Sequence, residues 1–258
     1  MIILLTIVGL FFSVSLQFSF DFDYFQDSYE FMIMNGFTDE MSKFLILLPK
    51  FLLLVDTLMK FVTGFYSNGR LVVRKKEIIL NNLRKNFIID IVSFGPTFIH
   101  NMHNNNGIMF HFFELFIFLR MGRIRNILWN FKETMSRNGK NDYLISLLVL
   151  IFKTFFFCHI NACIWHLVAY HNPTKITWLE YSQSRSLPWS MRYYYALFWS
   201  VAVMVTCGFG EKVSPQTTVE LLVGVWIMLS SALYLGYTIN AMGEIFQELN
   251  KNEKAIQY

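Results

Sequence analysis

Charge is the scarcest property of this chain. Asp, Glu, Lys and Arg make up only 16% of its 258 residues, and 54% are hydrophobic, whereas a soluble globular domain is about 25% charged. Such an inventory cannot cover a protein with a water-soluble surface, and it reads as an integral membrane protein. Cysteine is nearly absent too. The three copies, Cys158, Cys163 and Cys207, all fall in apolar stretches, so no disulfide framework is implied, and the first two read as small buried hydrophobes. Residues 1–20 lack both the basic opening and the small-residue cleavage site of a signal peptide, which favours a first membrane span over a leader. No internal repeat stands out. The one Asn-x-Thr, Asn172-Pro173-Thr174, is blocked as a glycosylation acceptor by its proline.

Long apolar blocks dominate what is present. They cover residues 1–20, 44–66, 86–100, 110–131, 142–170 and 217–246, with a shorter block at 196–205 between the last two. Crossing a bilayer takes about 20 apolar residues, so the short block is expected to enter the membrane and turn back. The fold class expected is therefore an all-α membrane protein with six transmembrane helices plus a re-entrant helix.

Orientation follows from the basic residues, which are enriched in cytoplasmic loops. Arg70, Arg74, Lys75, Lys76, Arg84, Lys85, Lys132, Arg137, Lys140, Lys251 and Lys254 fall on one side, and only Lys43, Lys175, Arg185 and Lys212 on the other. Both termini are thus expected in the cytoplasm. The net charge of +4 is then mostly a matter of topology, and no nucleic-acid partner is expected.

Directly after the short block stands Thr206-Cys207-Gly208-Phe209-Gly210. Non-helical backbone at membrane depth is tolerated only where it is buried in protein or lines water. Glycines let successive carbonyls point one way, and a ring of carbonyls can replace the hydration shell of a cation. The pentapeptide therefore reads as an ion filter. One chain supplies a single strand of it, so a closed ring requires like subunits related by rotation.

The fourth block carries Arg120, Arg123 and Arg125 in an otherwise apolar run. Ionisable residues inside a span are costly and are read as functional by default; here they suggest a short voltage-sensing row, with Asp56 and Asp90 as counter-charges. The competing reading is that Arg123 and Arg125 snorkel to the surface and that Asp56 is satisfied by Lys60 one turn on. His159 and His166, seven residues apart on one helix face, raise a rival from another class, a haem-binding membrane oxidoreductase. Such a site needs facing histidines, whereas His100, His103, His111 and His171 lie in loops or at span ends, which favours polar packing.

Several stretches together resemble the transmembrane part of the voltage-gated and cyclic-nucleotide-gated cation channel superfamily. The character is closest to potassium channels of the ether-à-go-go, plant inward rectifier and pacemaker kinds. They are Asp56 with Phe61-Val62-Thr63-Gly64-Phe65, then Asp90 with Ser93 and Pro96. The pore segment from Tyr195 to Gly210 follows, with Glu211, Pro215, Thr217 and Glu220. Last come Leu235-Gly236-Tyr237-Thr238-Ile239-Asn240 and Ile245-Phe246-Gln247. The resemblance implies a sensor-like four-helix module at 1–131, a linker at 132–141, a pore module at 142–247 and the start of a cytoplasmic linker at 248–258. It further implies a pore-forming subunit of a homo- or hetero-tetramer in the plasma membrane, with no cofactor beyond permeant K+ held at Thr206, Cys207, Gly208 and Phe209. Gly236 would act as a hinge, with Ile245, Phe246 and Gln247 as a gate, although Gly236 could instead permit close helix packing. The family's cyclic-nucleotide-binding domain would follow Tyr258, so no such site is expected within these residues.

Two departures from the family pattern bear on function. Val205 replaces the first of two threonines and Cys207 the usual valine, which leaves a non-selective pacemaker-like pore as the alternative to potassium selectivity. The sparse charge of the fourth span implies shallow voltage dependence. A non-conducting regulatory subunit is the third reading, opposed by the intact Gly208-Phe209-Gly210.

Overall fold

The computed structural model describes residues 2–20, 51–52, 54–55, 57–67, 70–85, 90–92, 142–172, 176–208 and 212–256. The chain divides into two compact units, Met1–Phe18 with Phe25–Leu128, and Ser19–Tyr24 with Trp129–Tyr258.

Helix α1 (Ile2–Phe20) opens the first unit and lends its last two residues to the second. Its 19 residues carry no charge and rise about 28 Å. Helical backbone between residues 51 and 59 stops at Met59, where the Phe61 and Thr63 amides bond back to the Leu58 and Met59 carbonyls, each at 3.0 Å. Helix thus gives way to turns before the end of the stretch 44–66, of which residues 44–50, 53 and 56 lie outside the described residues. The end of that stretch forms strand β1 (Phe65–Ser67), antiparallel to β2 (Arg70–Val72), with Ser67 opposite Arg70. The residues between them are Asn68 and Gly69, the pair most compatible with a two-residue hairpin because both positions tolerate positive φ. The regular elements among the described residues are thus helical apart from one short hairpin, in keeping with the all-α class expected. Helix α2 (Lys75–Lys85) follows, with Ile78 and Asn82 buried one turn apart. The Lys60 ammonium pairs with the Asp90 carboxylate, thirty positions away, and both are largely shielded from solvent.

The second unit is a helical cluster. Helix α3 (Asp142–Tyr170) packs on α5 (Trp189–Met204) and α6 (Thr218–Ile256), α5 also meets α6, and the short α4 (Trp178–Tyr181) lies on α3. Among the described residues, Tyr143–Tyr170 and Thr218–Gln247 are long and apolar enough to cross a membrane. The 16 residues of α5 rise only about 24 Å, short of the ~30 Å hydrocarbon core. Small residues let these helices approach one another, as in membrane bundles generally. Ala162, Ala169, Ala196, Ala202 and Ser200 are all buried. A Cβ on Gly224 would stand 3.4 Å from Trp165 Cζ3. Trp165 in turn stacks on Trp199, with ring centroids 3.9 Å apart.

Candidate ion-conducting site

Helix α5 ends at Met204, directly before the candidate filter sequence Thr206–Gly210. The Cys207 amide donates to the Ala202 carbonyl at 2.9 Å and the Thr206 amide to the Val203 carbonyl at 3.1 Å, the paired reversed bonds of a Schellman motif. That motif needs a left-handed residue just past the cap. Thr206 supplies it at φ +57°, although a Cβ there costs about 1–2 kcal/mol and a β-branched residue is an outlier. Gly208 is also left-handed, at φ +70°, while Cys207 between them is not. Alternating the sign of φ turns successive peptide dipoles toward one side instead of opposite sides, as in other ion-binding backbone turns. A Cβ added to Gly208 would meet nothing within 4 Å, so the demand for glycine is conformational. Thr206, Cys207 and Gly208 are all exposed; Phe209 and Gly210 lie outside the described residues. The carbonyl end of α5 adds roughly half a negative charge beside Thr206, which favours a cation there.

Three contacts fix α5 in register on α3. The buried Ser200 hydroxyl donates to the Cys158 carbonyl at 2.9 Å, and the Cys158 Sγ lies 3.2 Å from Met204 Sδ at the last turn of α5. His159 Nδ1 meets the Tyr193 hydroxyl at 2.9 Å. His166 Nδ1 donates to the Ser19 carbonyl at 2.5 Å, and its ring stacks on Phe20 at 3.8 Å. The two histidines thus bind neighbouring helices together in the packing role.

The segment following the candidate filter is held by Glu220, which is fully buried. Its amide donates to Thr217 Oγ1 at 3.2 Å, and its carboxylate accepts from the Thr217 amide at 3.0 Å and the Gln216 amide at 2.8 Å. This is a capping box at the start of α6. The same carboxylate accepts from the Trp178 amide of α4 at 3.1 Å, and Asn172 Nδ2 at the end of α3 donates to Thr217 Oγ1 at 3.1 Å. One acid thereby ties α4 to the first turn of α6 while α3 reaches the same threonine. Arg185 and Arg192 both lie against the Tyr170 ring, 5.4 and 5.9 Å from its centroid, and Arg185 also pairs with Glu180 at 2.8 Å.

Of the sensor residues, Arg120, Arg123, Arg125 and Asp56 lie outside the described residues. Asp90 is described and pairs with Lys60, a partner that local spacing assigned to Asp56. Gly236, Ile245, Phe246 and Gln247 all sit in α6, which runs unbroken to Ile256. A Cβ on Gly236 would meet nothing within 4 Å, so packing among the described residues does not account for that glycine. Sequence reasoning misses Ser200 and Trp178, which have no motif of their own, whereas the spacing Thr217-x-x-Glu220 is the signal that finds the capping box.

Comparison with known proteins converges on one family. The ion transport protein family model matches residues 1–254. The potassium channel AKT1 of Arabidopsis thaliana is 27% identical over 194 residues, 73% of this chain and 22% of that protein. The potassium channel KAT3 of the same plant is 29% identical over 177 residues, covering 64% of this chain and 26% of the relative. The potassium channel SKOR is 23% identical over 217 residues, 78% and 25% respectively. The chain spans about a quarter of the length of these relatives. A short helix ending on an alternating backbone, two membrane-length helices around it, and a family match over nearly every residue agree: the chain belongs to the ion transport protein family, an integral membrane family of channels and not of enzymes.

Proposed function

We propose that four copies of this chain, identical or mixed with like subunits, form a potassium-selective channel in the plasma membrane with both termini in the cytoplasm. The observation that carries the reading is the left-handed pair Thr206 and Gly208 at the end of a helix too short to cross. Carbonyls turned to one side on each of four strands would replace the water around a dehydrated cation, with Thr206 adding a hydroxyl and no other cofactor required. The names of the relatives support potassium as that ion. Residues 142–247 would form the pore module, with α5 as its re-entrant pore helix; residues 1–131 would form the sensor-like module, 132–141 its linker, and 248–258 the start of the cytoplasmic linker. Arg120, Arg123 and Arg125 would sense voltage weakly, with Asp56 and Asp90 as counter-charges. Gly236 would flex, and Ile245, Phe246 and Gln247 would close the pore.

The deciding measurement is the reversal potential of the reconstituted protein under opposed, equal potassium and sodium gradients. A value close to the potassium equilibrium potential is expected. A value near zero with measurable current would convert the reading to a non-selective, pacemaker-like pore, and no current under any stimulus would convert it to a regulatory subunit.

A further inference from the structure

The segment from Arg70 to Lys85 has no part in the proposed pore, yet its composition is strongly basic. It carries Arg70, Arg74, Lys75, Lys76, Arg84 and Lys85 against a single acid, Glu77. Arg74 reaches Glu77 at 3.3 Å, both well exposed, so one charge of the six is locally answered. The same segment exposes apolar side chains. Leu80 is 71% exposed, Val73 68%, and Ile79 and Leu83 41% each. Large apolar residues lying free beside basic ones call for a partner that is both oily and acidic.

The arrangement on α2 makes the pattern specific. At about 100° per residue, Ile79, Leu83 and Leu80 fall within one arc of roughly 100°. Lys75 and Arg84 stand near its two edges, and Lys76 rises within it. Ile78 and Asn82, which are buried, centre about 130° from the middle of that arc, so the helix turns one side to its own unit and presents the other outward. A basic helix with an outward apolar face has the form of a helix lying in a membrane interface. Long lysine and arginine stems can cover the apolar arc while their charges stay at headgroup level. The flanks hold it there. Apolar helical backbone ends at Met59 before it, and the apolar run of residues 86–100 begins directly after Lys85.

We infer that α2 is a lipid-reading helix, seated with Ile79, Leu80 and Leu83 in the acyl boundary and with Lys75, Lys76 and Arg84 on the phosphates of anionic lipids. This goes beyond conduction and makes the first unit responsive to the composition of the leaflet it touches. Each basic residue near an anionic surface contributes roughly fivefold in partition at ordinary salt, so three such residues distinguish an anionic from a zwitterionic surface.

The test uses the full chain with Cys207→Val to remove the exposed native thiol, and a nitroxide placed on Leu80→Cys. The protein is embedded in nanodiscs of phosphatidylcholine, with or without phosphatidylserine. Collision of the label with molecular oxygen, which concentrates in lipid, is compared with collision with a water-soluble nickel chelate. Oxygen is expected to exceed nickel several-fold in discs with phosphatidylserine. That excess should shrink without the anionic lipid and at high salt, which screens exposed charge. In Lys75→Gln, Lys76→Gln, Arg84→Gln together, the dependence on phosphatidylserine should vanish. The inference is overturned if nickel dominates in both lipid mixtures, if neither reagent reaches the label because protein covers it, or if the ratio ignores phosphatidylserine. Both faces of a nanodisc meet bulk solvent, so the outcome does not depend on sidedness or on whether the pore conducts.

Discussion

Thr206 occupies a backbone position that chemistry would ordinarily give to glycine, and the size of the penalty says what holds it there. Its Cβ costs about 1–2 kcal/mol at positive φ, whereas glycine loses about 0.5–1 kcal/mol more entropy on folding. Thr206→Gly is therefore expected to change stability by no more than about 1.5 kcal/mol, read by thermal melting in detergent. Reversal potentials should nevertheless show reduced preference for potassium, because the hydroxyl is gone. Unchanged selectivity would deny Thr206 a role as ligand. Gly208→Ala poses the opposite case. The site has open space within 4 Å, so the added methyl acts through φ +70° alone. Assembly should survive while conduction is lost, which size-exclusion chromatography and flux measurements separate. Normal flux in that variant would remove the filter assignment.

At the scale of elements, Glu220 is an anchor shared by two helices. It accepts from the amides of Trp178, Gln216 and Thr217 while fully buried. Hydrogen bonds to charged groups contribute about 1.5–3 kcal/mol each, so Glu220→Ala should cost about 3 kcal/mol or more. Glu220→Gln, which keeps one acceptor oxygen, should cost distinctly less. Equal melting temperatures for the two variants would show that the carboxylate is not the anchor. The fourth span makes a different prediction. Moving one charge across the full field is worth about 2.3 kcal/mol per 100 mV, and Arg120, Arg123 and Arg125 are few. Activation should be shallow, and neutralising Arg120 and Arg123 together should flatten it further; an unaltered slope would mean that they only snorkel. What the sequence disclosed at this scale follows its periodicities. Residues 142–170 and the apolar part of α6 stand out because few polar residues interrupt their hydropathy, and α5 is recognisable as too short to cross. The end of the second block escaped because Phe65, Tyr66, Leu71 and Val72 are as apolar as a span. Only Asn68-Gly69 betrays the hairpin. The Lys60 and Asp90 pair escaped for another reason, since a contact thirty positions long leaves no periodic trace.

For the whole molecule, the outward face of the second unit is strongly apolar. Trp226 is 73% exposed and Leu233 79% on α6, more apolar surface than lipid-free water would allow, and lipid or neighbouring subunits would cover it. Cysteine replacement at each residue from Asn240 to Gln247, with thiol modification from the cytoplasmic side, tests the gate proposed there. Reaction rates above Phe246 should fall in closed channels; equal rates in closed and open channels would relocate control to the filter. The candidate filter was legible in the sequence because glycine and threonine spacing encodes its backbone directly. Its fastening was not, because Ser200 and Cys158 meet across 42 positions and so do Trp178 and Glu220. That separation also sets an order of events during synthesis. Glu220 leaves the ribosome long after Trp178, and until it arrives the intervening loop has nothing to close against. In the proposed pore, the outgoing side of the candidate filter would therefore stay unanchored until the last helix is in place.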